Sequence, residues 1–133
     1  MPVRCERSPP ELEHEQAYVV DDDEAVADSL ELLLEGFGYD VQSYNPGADF
    51  LADDRHCRTG CLIIDRHMPG LDGIDVVTRL QEEAPLPSIL VSGRLDTNTK
   101  KRAGSLGVAG VLEKPFAADH LIGLIRKALL ERH

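Results

Sequence analysis

Six polar side chains stand at the ends of short apolar runs, and together their types could perform phosphate chemistry. They are Asp21, Asp22, Asp23, Asp65, Ser92 and Lys114. Carboxylates held close together repel one another and raise each other's pKa unless a cation joins them. Mg²⁺ suits such oxygen ligands, because it keeps several of its waters and bridges to phosphate oxygens. The residue types therefore indicate a magnesium site that handles phosphate, provided that the fold brings them together.

Phosphoryl transfer needs few groups beyond these. An aspartate can act as the nucleophile and form an acyl phosphate, while an ammonium and a hydroxyl stabilise the phosphoryl oxygens. Each residue alone also has an ordinary structural explanation. The three consecutive aspartates could simply cap a helix. Asp65 and Ser92 could form turns, and Lys114 could be a solvated surface residue. Only their joint occurrence favours an active site.

Short apolar runs alternate with helical patterns from Ala17 onward, and this alternation predicts where the polar side chains lie. Strands are predicted at residues 18–20, 40–44, 61–64, 88–91 and 109–112. Most of them are continuously apolar, as expected when helices cover both faces of a sheet. Residues 40–44 alternate instead and suit an edge of the sheet.

The helical patterns between these strands differ in strength. Three segments carry apolar residues at helical spacing: Val26, Leu30, Leu33, Leu34 and Phe37; Ile74, Val77, Leu80 and Ala84; and Leu121, Leu124, Ile125, Ala128 and Leu129. Residues 96–106 are the weakest candidate, because this stretch has few apolar side chains and carries glycines within it and directly after it. Five strands alternating with five helical segments predict a doubly wound, parallel α/β sheet whose site lies at the carboxyl ends of the strands.

The bulk properties fit one acidic domain. The chain has 133 residues; we expect residues 1–15 to be a flexible tail and residues 16–133 to form the domain. A net charge of −10 argues against direct binding of a nucleic acid. No apolar run approaches a membrane span, so we expect no membrane contact. Three cysteines without zinc-like spacing favour free thiols in a reducing cytoplasm.

Four pieces of the sequence resemble the receiver domain of bacterial response regulators of two-component systems, and most of all the receivers of FixJ/NarL-like transcriptional regulators. The pieces are, in order, VVDDDEAV, LIIDRHMPGLDG, ILVSG and LEKPF. Each falls at a predicted strand end, and the resemblance covers roughly residues 16–131. It implies a flavodoxin-like (βα)5 fold with the strand order 2-1-3-4-5.

The resemblance also implies a Mg²⁺ site. Asp22 matches the residue that holds the metal directly, and Asp21 matches its acidic neighbour, which acts through water. Asp65 and the backbone carbonyl of His67 match the remaining protein ligands. The imidazole ring of His67 is not expected to bind the ion, because Mg²⁺ prefers oxygen ligands.

Three further roles follow from the same resemblance. Asp65 matches the aspartate that accepts the phosphoryl group. Ser92 matches the hydroxyl residue that bonds this group and moves on activation, and Lys114 matches the lysine that pairs with a phosphoryl oxygen. The Lys114–Pro115 peptide bond is expected to be cis.

The sequence departs from the family pattern at three positions. Val111 stands where receivers commonly place an aromatic residue that swings inward, and its small, stiff side chain cannot make that rotamer change. His67 and Arg94 occupy the two positions that control access of the attacking water. Both are large, so we expect a phosphorylated form that lasts many minutes.

These features predict a signalling receiver that accepts a phosphoryl group from the phosphohistidine of a sensor histidine kinase. Such a protein is no metabolic enzyme, although it catalyses its own phosphorylation and dephosphorylation. Its partner could be a transcriptional output domain, either following this chain or absent, or a second copy bound through the face of residues 96–130. Two alternatives remain: a receiver-like interaction module without a phosphorylation switch, and an aspartate-nucleophile phosphatase. The run DRHMP lacks the D-x-D-x-T pattern of the haloacid dehalogenase phosphatases.

Overall fold

The computed structural model describes residues 15–44, 60–67, 72–83 and 86–132. It contains one parallel sheet of five strands in the order β2-β1-β3-β4-β5. The strands are β1 (Gln16–Val20), β2 (Asp40–Tyr44), β3 (Cys61–Asp65), β4 (Ser88–Ser92) and β5 (Gly110–Glu113). The predicted fold class and strand order are confirmed. The fifth strand lies one residue later than predicted, and β2 is an edge strand as its alternation indicated.

Four helices pack on this sheet within the described residues. They are α1 (Glu24–Gly36), α2 (Gly73–Glu83), α3 (Thr97–Leu106) and α4 (Ala118–Arg132). The fifth helix of the predicted (βα)5 pattern would fall between β2 and β3, where residues 45–59 lie outside the described part of the chain. Two further parts of the prediction lie outside the described residues. They are residues 1–14 of the expected tail and Ala84, the last apolar residue of the second helical pattern. None of the described helices is both long enough and apolar enough to span a membrane.

Two hydrophobic clusters hold the layers together, one on each face of the sheet. The first joins one face to α1 and α4, through side chains such as Leu34 and Ile125. The second joins the other face to α2 and α3, through side chains such as Leu80 and Ala103. Because both faces are covered, all five residues of β3 and of β4 are buried.

An aspartate caps the start of helix α1, and a glycine is its last residue. Asp23 is its N-cap, and the carboxylate accepts hydrogen bonds from the backbone of Ala25 at 3.0 Å and of Val26 at 3.3 Å. The helix ends at Gly36. The helical spacing predicted that Phe37 lies on the same side of α1 as Leu30 and Leu34, but Phe37 is 45% exposed. It lies just past the last helical residue, where the chain no longer follows the helical spacing.

Helix α2 begins in direct contact with the end of β3, and a glycine makes this possible. A Cβ atom on Gly73 would lie only 2.4 Å from the Asp65 carbonyl oxygen. The amide of Gly73 donates to the Arg66 carbonyl at 2.9 Å, and the Asp72 carboxylate accepts from the Ile74 amide at 2.8 Å. The first turn of α2 is therefore held against the residues that follow β3.

Helix α3 forms, as predicted, and it is the least anchored by apolar side chains. Its buried residues are Thr99 and Ala103. Asp96 caps its N-terminus, accepting from the Thr99 amide at 2.7 Å. At the other end Gly107 adopts the left-handed conformation with φ of 72°, which favours glycine.

Candidate phosphoacceptor site

Three carboxylates meet at the carboxyl ends of β1 and β3. One oxygen of Asp21, one of Asp22 and one of Asp65 all lie within 4.8 Å of one another. Asp21 and Asp65 are 2% and 7% exposed, while Asp22 keeps access to solvent. The side chains converge because β1 and β3 are parallel neighbours, with Val20 opposite Ile64 in the register. The acidic cluster predicted from strand ends is therefore present.

Lys114 reaches this cluster from the end of β5. Its ammonium nitrogen Nζ donates to Asp65 Oδ2 at 3.1 Å and lies 3.7 Å from Asp21 Oδ2. Its backbone amide donates to the Ser92 carbonyl at 2.9 Å, which continues the β4–β5 pairing to the start of the next loop. The Lys114–Pro115 bond is cis, as the resemblance implied.

The negative charges of the three carboxylates are only partly balanced by Lys114. Burial is the main cause that raises the pKa of Asp21, and the nearby Asp65 carboxylate raises it further. The hydrogen bond from the Asp23 amide and the charge of Lys114 act in the opposite direction without cancelling this rise. Burial acts to lower the pKa of Lys114, but the hydrogen bond and charge of Asp65, with Asp21, outweigh it and raise that pKa. The site is therefore short of positive charge.

A divalent cation suits this donor set. The three carboxylates offer oxygen ligands at close range, and Asp21 is a buried carboxylate whose negative charge the protein alone does not fully compensate. Mg²⁺ would be held directly by Asp22 and Asp65, and through a water molecule by Asp21, as the resemblance implies. The His67 amide donates to Asp65 Oδ1 at 3.1 Å, which brings its backbone beside the cluster. The role of the His67 carbonyl as a ligand stays a prediction.

The hydroxyl of Ser92 is buried at the end of β4 but is engaged with the following loop. It donates to the Arg94 carbonyl at 2.8 Å and accepts from the Arg94 amide at 3.2 Å. A hydroxyl has one proton, so this geometry leaves none to give to a group on Asp65. The ring nitrogen Nε2 of His67 lies 3.5 Å from the same oxygen. Ser92 must therefore rotate away from Arg94 before it can donate to a phosphoryl oxygen.

Val111 is partly buried and packs against the cluster shared by α2 and α3. The side chain is that of a small β-branched residue, so the structure contains no aromatic ring at this position that could swing between two rotamers.

One polar residue beside the site was not singled out in the sequence. Arg66 follows Asp65 directly, and its guanidinium nitrogen Nη1 donates to the hydroxyl of Thr99 on α3. Its Nε lies 3.5 Å from Asp72 Oδ2. No periodicity or motif signals this contact, because the partners are more than thirty residues apart and a threonine in a polar helix carries no pattern of its own.

The family comparison covers the part of the chain that carries this site. The model of the response regulator receiver domain matches residues 17–126, which contain every residue named at the site. The chain belongs to the response regulator receiver family.

The chain is also similar in sequence to individual response regulatory proteins. The transcriptional regulatory protein FixJ of Bradyrhizobium diazoefficiens is 37% identical over 113 residues, covering 84% of this chain and 55% of that protein. The tetrathionate response regulatory protein TtrR of Salmonella typhimurium is 33% identical over 113 residues, with coverages of 84% and 55%. The chain thus spans about half the length of the curated relatives it matches.

Solved structures show the same likeness. The crystal structure of FixJ-N aligns with a TM-score of 0.81 at 29% identity, covering 90% of this chain and 96% of that one. Full-length FixJ from B. japonicum aligns with a TM-score of 0.80 at 36% identity, covering 88% and 58%. The fold is therefore the one found in these FixJ structures.

Proposed function

We propose that this domain accepts a phosphoryl group on Asp65 from the phosphohistidine of a sensor histidine kinase, in a Mg²⁺-dependent reaction. The observation that carries the proposal is the placement of the Lys114 ammonium 3.1 Å from the Asp65 carboxylate, inside a cluster of three acidic residues. A buried carboxylate paired with a lysine, beside ligands for a divalent cation, is suited to phosphoryl transfer, where positioning and charge neutralisation supply most of the catalysis.

The proposed transfer uses few groups. An Asp65 carboxylate oxygen attacks the phosphorus, the new O–P bond forms while the P–N bond of the phosphohistidine breaks, and the imidazole leaves with the electron pair. Lys114 neutralises one phosphoryl oxygen, and Ser92 donates to another after it leaves the Arg94 carbonyl. Bound Mg²⁺ supplies further positive charge to the phosphoryl oxygens. Later attack of water on the phosphorus releases phosphate and restores the aspartate.

The consequence we propose is a change in a protein-binding face rather than the turnover of a metabolite. Phosphorylation adds up to about two negative charges and three acceptor oxygens at the mouth of the site. Recruitment of Ser92 would shift the loop that leads into α3, and α3 has few apolar anchors. We propose that the face of residues 96–130 then controls a transcriptional output domain or a homodimer, in the cytoplasm. Residues 16–133 would form this receiver and residues 1–15 a tail.

The decisive test is mass spectrometry after incubation with acetyl phosphate and Mg²⁺. The wild-type domain should gain about 80 Da, the mass of one phosphoryl group, in a hydroxylamine-sensitive linkage typical of an acyl phosphate. Asp65→Asn should abolish the adduct, whereas Asp75→Asn, an exposed aspartate on α2, should leave it unchanged. A wild-type domain that gains no adduct would favour the interaction module without a phosphorylation switch. Turnover of an external phosphomonoester would favour the phosphatase alternative.

A further inference from the structure

Helix α3 depends on a polar contact for its position, because apolar burial gives it little support. Thr99 and Ala103 are its buried residues, and alanine and threonine side chains bury little apolar surface. Thr99 is completely buried although it carries a hydroxyl. A buried hydroxyl needs hydrogen-bond partners to compensate for the water it has lost.

The partners of Thr99 come from two different segments. Its hydroxyl accepts a hydrogen bond from the Arg66 guanidinium, and its amide donates to the Asp96 carboxylate at 2.7 Å. Hydrogen bonds from the Thr99 backbone and side chain lower the pKa of Asp96, with smaller contributions from the charges of Arg66 and Arg94. Thr99 is therefore the centre of a short polar chain that runs from the N-cap of α3 to the end of β3.

Arg66 links this chain to a second helix. Its Nε lies 3.5 Å from Asp72 Oδ2, and Asp72 accepts from the first turn of α2. The Arg66 backbone is held firmly, since its amide donates to the Val91 carbonyl at 2.8 Å and its carbonyl accepts from Gly73. One side chain, with a firmly held backbone, thus joins the N-terminal turns of α2 and α3 beside Asp65.

Two opposing effects set the strength of the Arg66–Thr99 contact. A hydrogen bond from a charged donor is stronger than one between neutral groups. The Arg66 side chain is only 15% exposed, yet within the described residues its buried Nε has no hydrogen-bond partner of good geometry. An incompletely satisfied buried donor costs free energy, which offsets part of the gain from the Thr99 contact.

We infer that Arg66 is a positioning residue that holds the first turn of α3 against the phosphoacceptor strand, and that α3 responds to phosphorylation of Asp65 through the Arg66–Thr99 contact. This inference rests on the proposed function. The negative charge added at Asp65, one residue away, attracts the guanidinium. The movement of Ser92 toward the phosphoryl group shifts the loop that carries Asp96. Both changes weaken the contact, so the first turn of α3 opens more often. Val111 takes no part in this route.

Hydrogen exchange of peptides covering residues 97–106 tests the anchor in the unphosphorylated protein. Thr99→Val replaces the hydroxyl with a methyl group and keeps the β-branched shape. We expect exchange about tenfold faster, since a hydrogen bond to a charged group is lost. Thr97→Val makes the same change at an exposed position of the same helix and should leave exchange unchanged. Equal exchange in the two variants would overturn the inference. Unchanged exchange in β3 and α4 verifies that each variant is folded.

The same measurement with phosphorylated protein tests the coupling. Phosphorylation should speed exchange of residues 97–106 in the wild type and in Thr97→Val, and should have little further effect in Thr99→Val. Arg66→Gln should reproduce the Thr99→Val result, while Arg102→Gln, on the exposed surface of α3, should behave as the wild type. No change or slower exchange on phosphorylation of the wild type, or an equal response in Thr99→Val, would refute the route.

The adduct mass distinguishes the two possible failures. Thr99→Val should still gain the full phosphoryl adduct, because Thr99 takes no part in the transfer. A wild-type domain without the adduct refutes the proposed function and, with it, the coupling. A full adduct combined with an unresponsive α3 refutes the coupling alone.

Discussion

Lys114 is the single cation between two buried carboxylates among the described residues of the site, so its removal should affect both chemistry and stability. Lys114→Met should slow phosphorylation by acetyl phosphate about a hundredfold, as expected for the loss of a preorganised charge at a reacting centre. Without Mg²⁺ it should also destabilise the fold by about 1–3 kcal/mol, less than for a fully buried ion pair because the lysine keeps some access to water.

The measurements for Lys114 are the rate of adduct formation and urea unfolding in the presence of a chelator. Lys127→Met, at an exposed position on α4, is the matched control and should change neither. A Lys114→Met protein that is phosphorylated at the wild-type rate would contradict the assignment of this lysine to the phosphoryl oxygens.

The side chains beside the phosphoryl site should also set the lifetime of the modified state. His67 and Arg94 are both exposed, and the structure connects both to the Ser92 hydroxyl, through the His67 ring and the Arg94 backbone. We expect them to hinder the approach of water in line with the O–P bond, giving a half-life of many minutes in Mg²⁺ at neutral pH. Replacing both by alanine should shorten it. A wild-type half-life of a few seconds would disprove this prediction.

At the scale of elements, the junction between β3 and α2 depends on the absence of a side chain at Gly73. A methyl group there would meet the Asp65 carbonyl at 2.4 Å, and backbone atoms cannot move aside as a flexible side chain can. Gly73→Ala should therefore destabilise the domain by about 1–3 kcal/mol, as overpacking does, and should lower phosphorylation by displacing Asp65.

Gly123→Ala provides the control for this junction. Gly123 lies within α4, and a Cβ atom there would meet nothing within 4 Å. The substitution should stabilise the domain by about 0.5–1 kcal/mol, since alanine is the better helix former. Equal effects of the two substitutions in urea unfolding would show that the Gly73 contact is not restrictive.

At the scale of the whole molecule, metal binding should be linked to stability. The cluster joins β1 to β3, so an ion held there binds the folded state alone and stabilises it by mass action. At Mg²⁺ concentrations a hundredfold above the dissociation constant, the free energy of unfolding should rise by about 2.7 kcal/mol. Thermal unfolding with and without a chelator measures this effect.

Asp21→Asn separates metal binding from other effects of Mg²⁺ in the same experiment. Because burial raises the pKa of Asp21, its negative charge is disfavoured in the fold, and the neutral side chain should make the metal-free protein more stable than the wild type. The variant should gain less from Mg²⁺. An equal gain in both proteins would show that the ion binds elsewhere.

Much of the architecture could be predicted from the sequence because it depends on local patterns. The continuously apolar β3 and β4 indicated a sheet covered on both faces, and the alternating β2 indicated an edge. The prediction that Phe37 lies with the other apolar side chains of α1 was wrong, because the spacing of apolar residues does not show at which residue a helix ends. The ends of β1, β3 and β5 then brought Asp21, Asp22, Asp65 and Lys114 together, as the order of the parallel strands required.

The sequence alone determined which residue types stand at the strand ends, and therefore what chemistry the site can perform. The tertiary structure decided which hydrogen bonds those residues make. Ser92 is turned toward Arg94, and Arg66 reaches across to Thr99 on α3. Such contacts join residues distant in the chain, and each depends on side-chain rotamers and on how closely two elements pack. Neither leaves a periodic signal, so only the packed structure shows how Asp65 is connected to the rest of the domain.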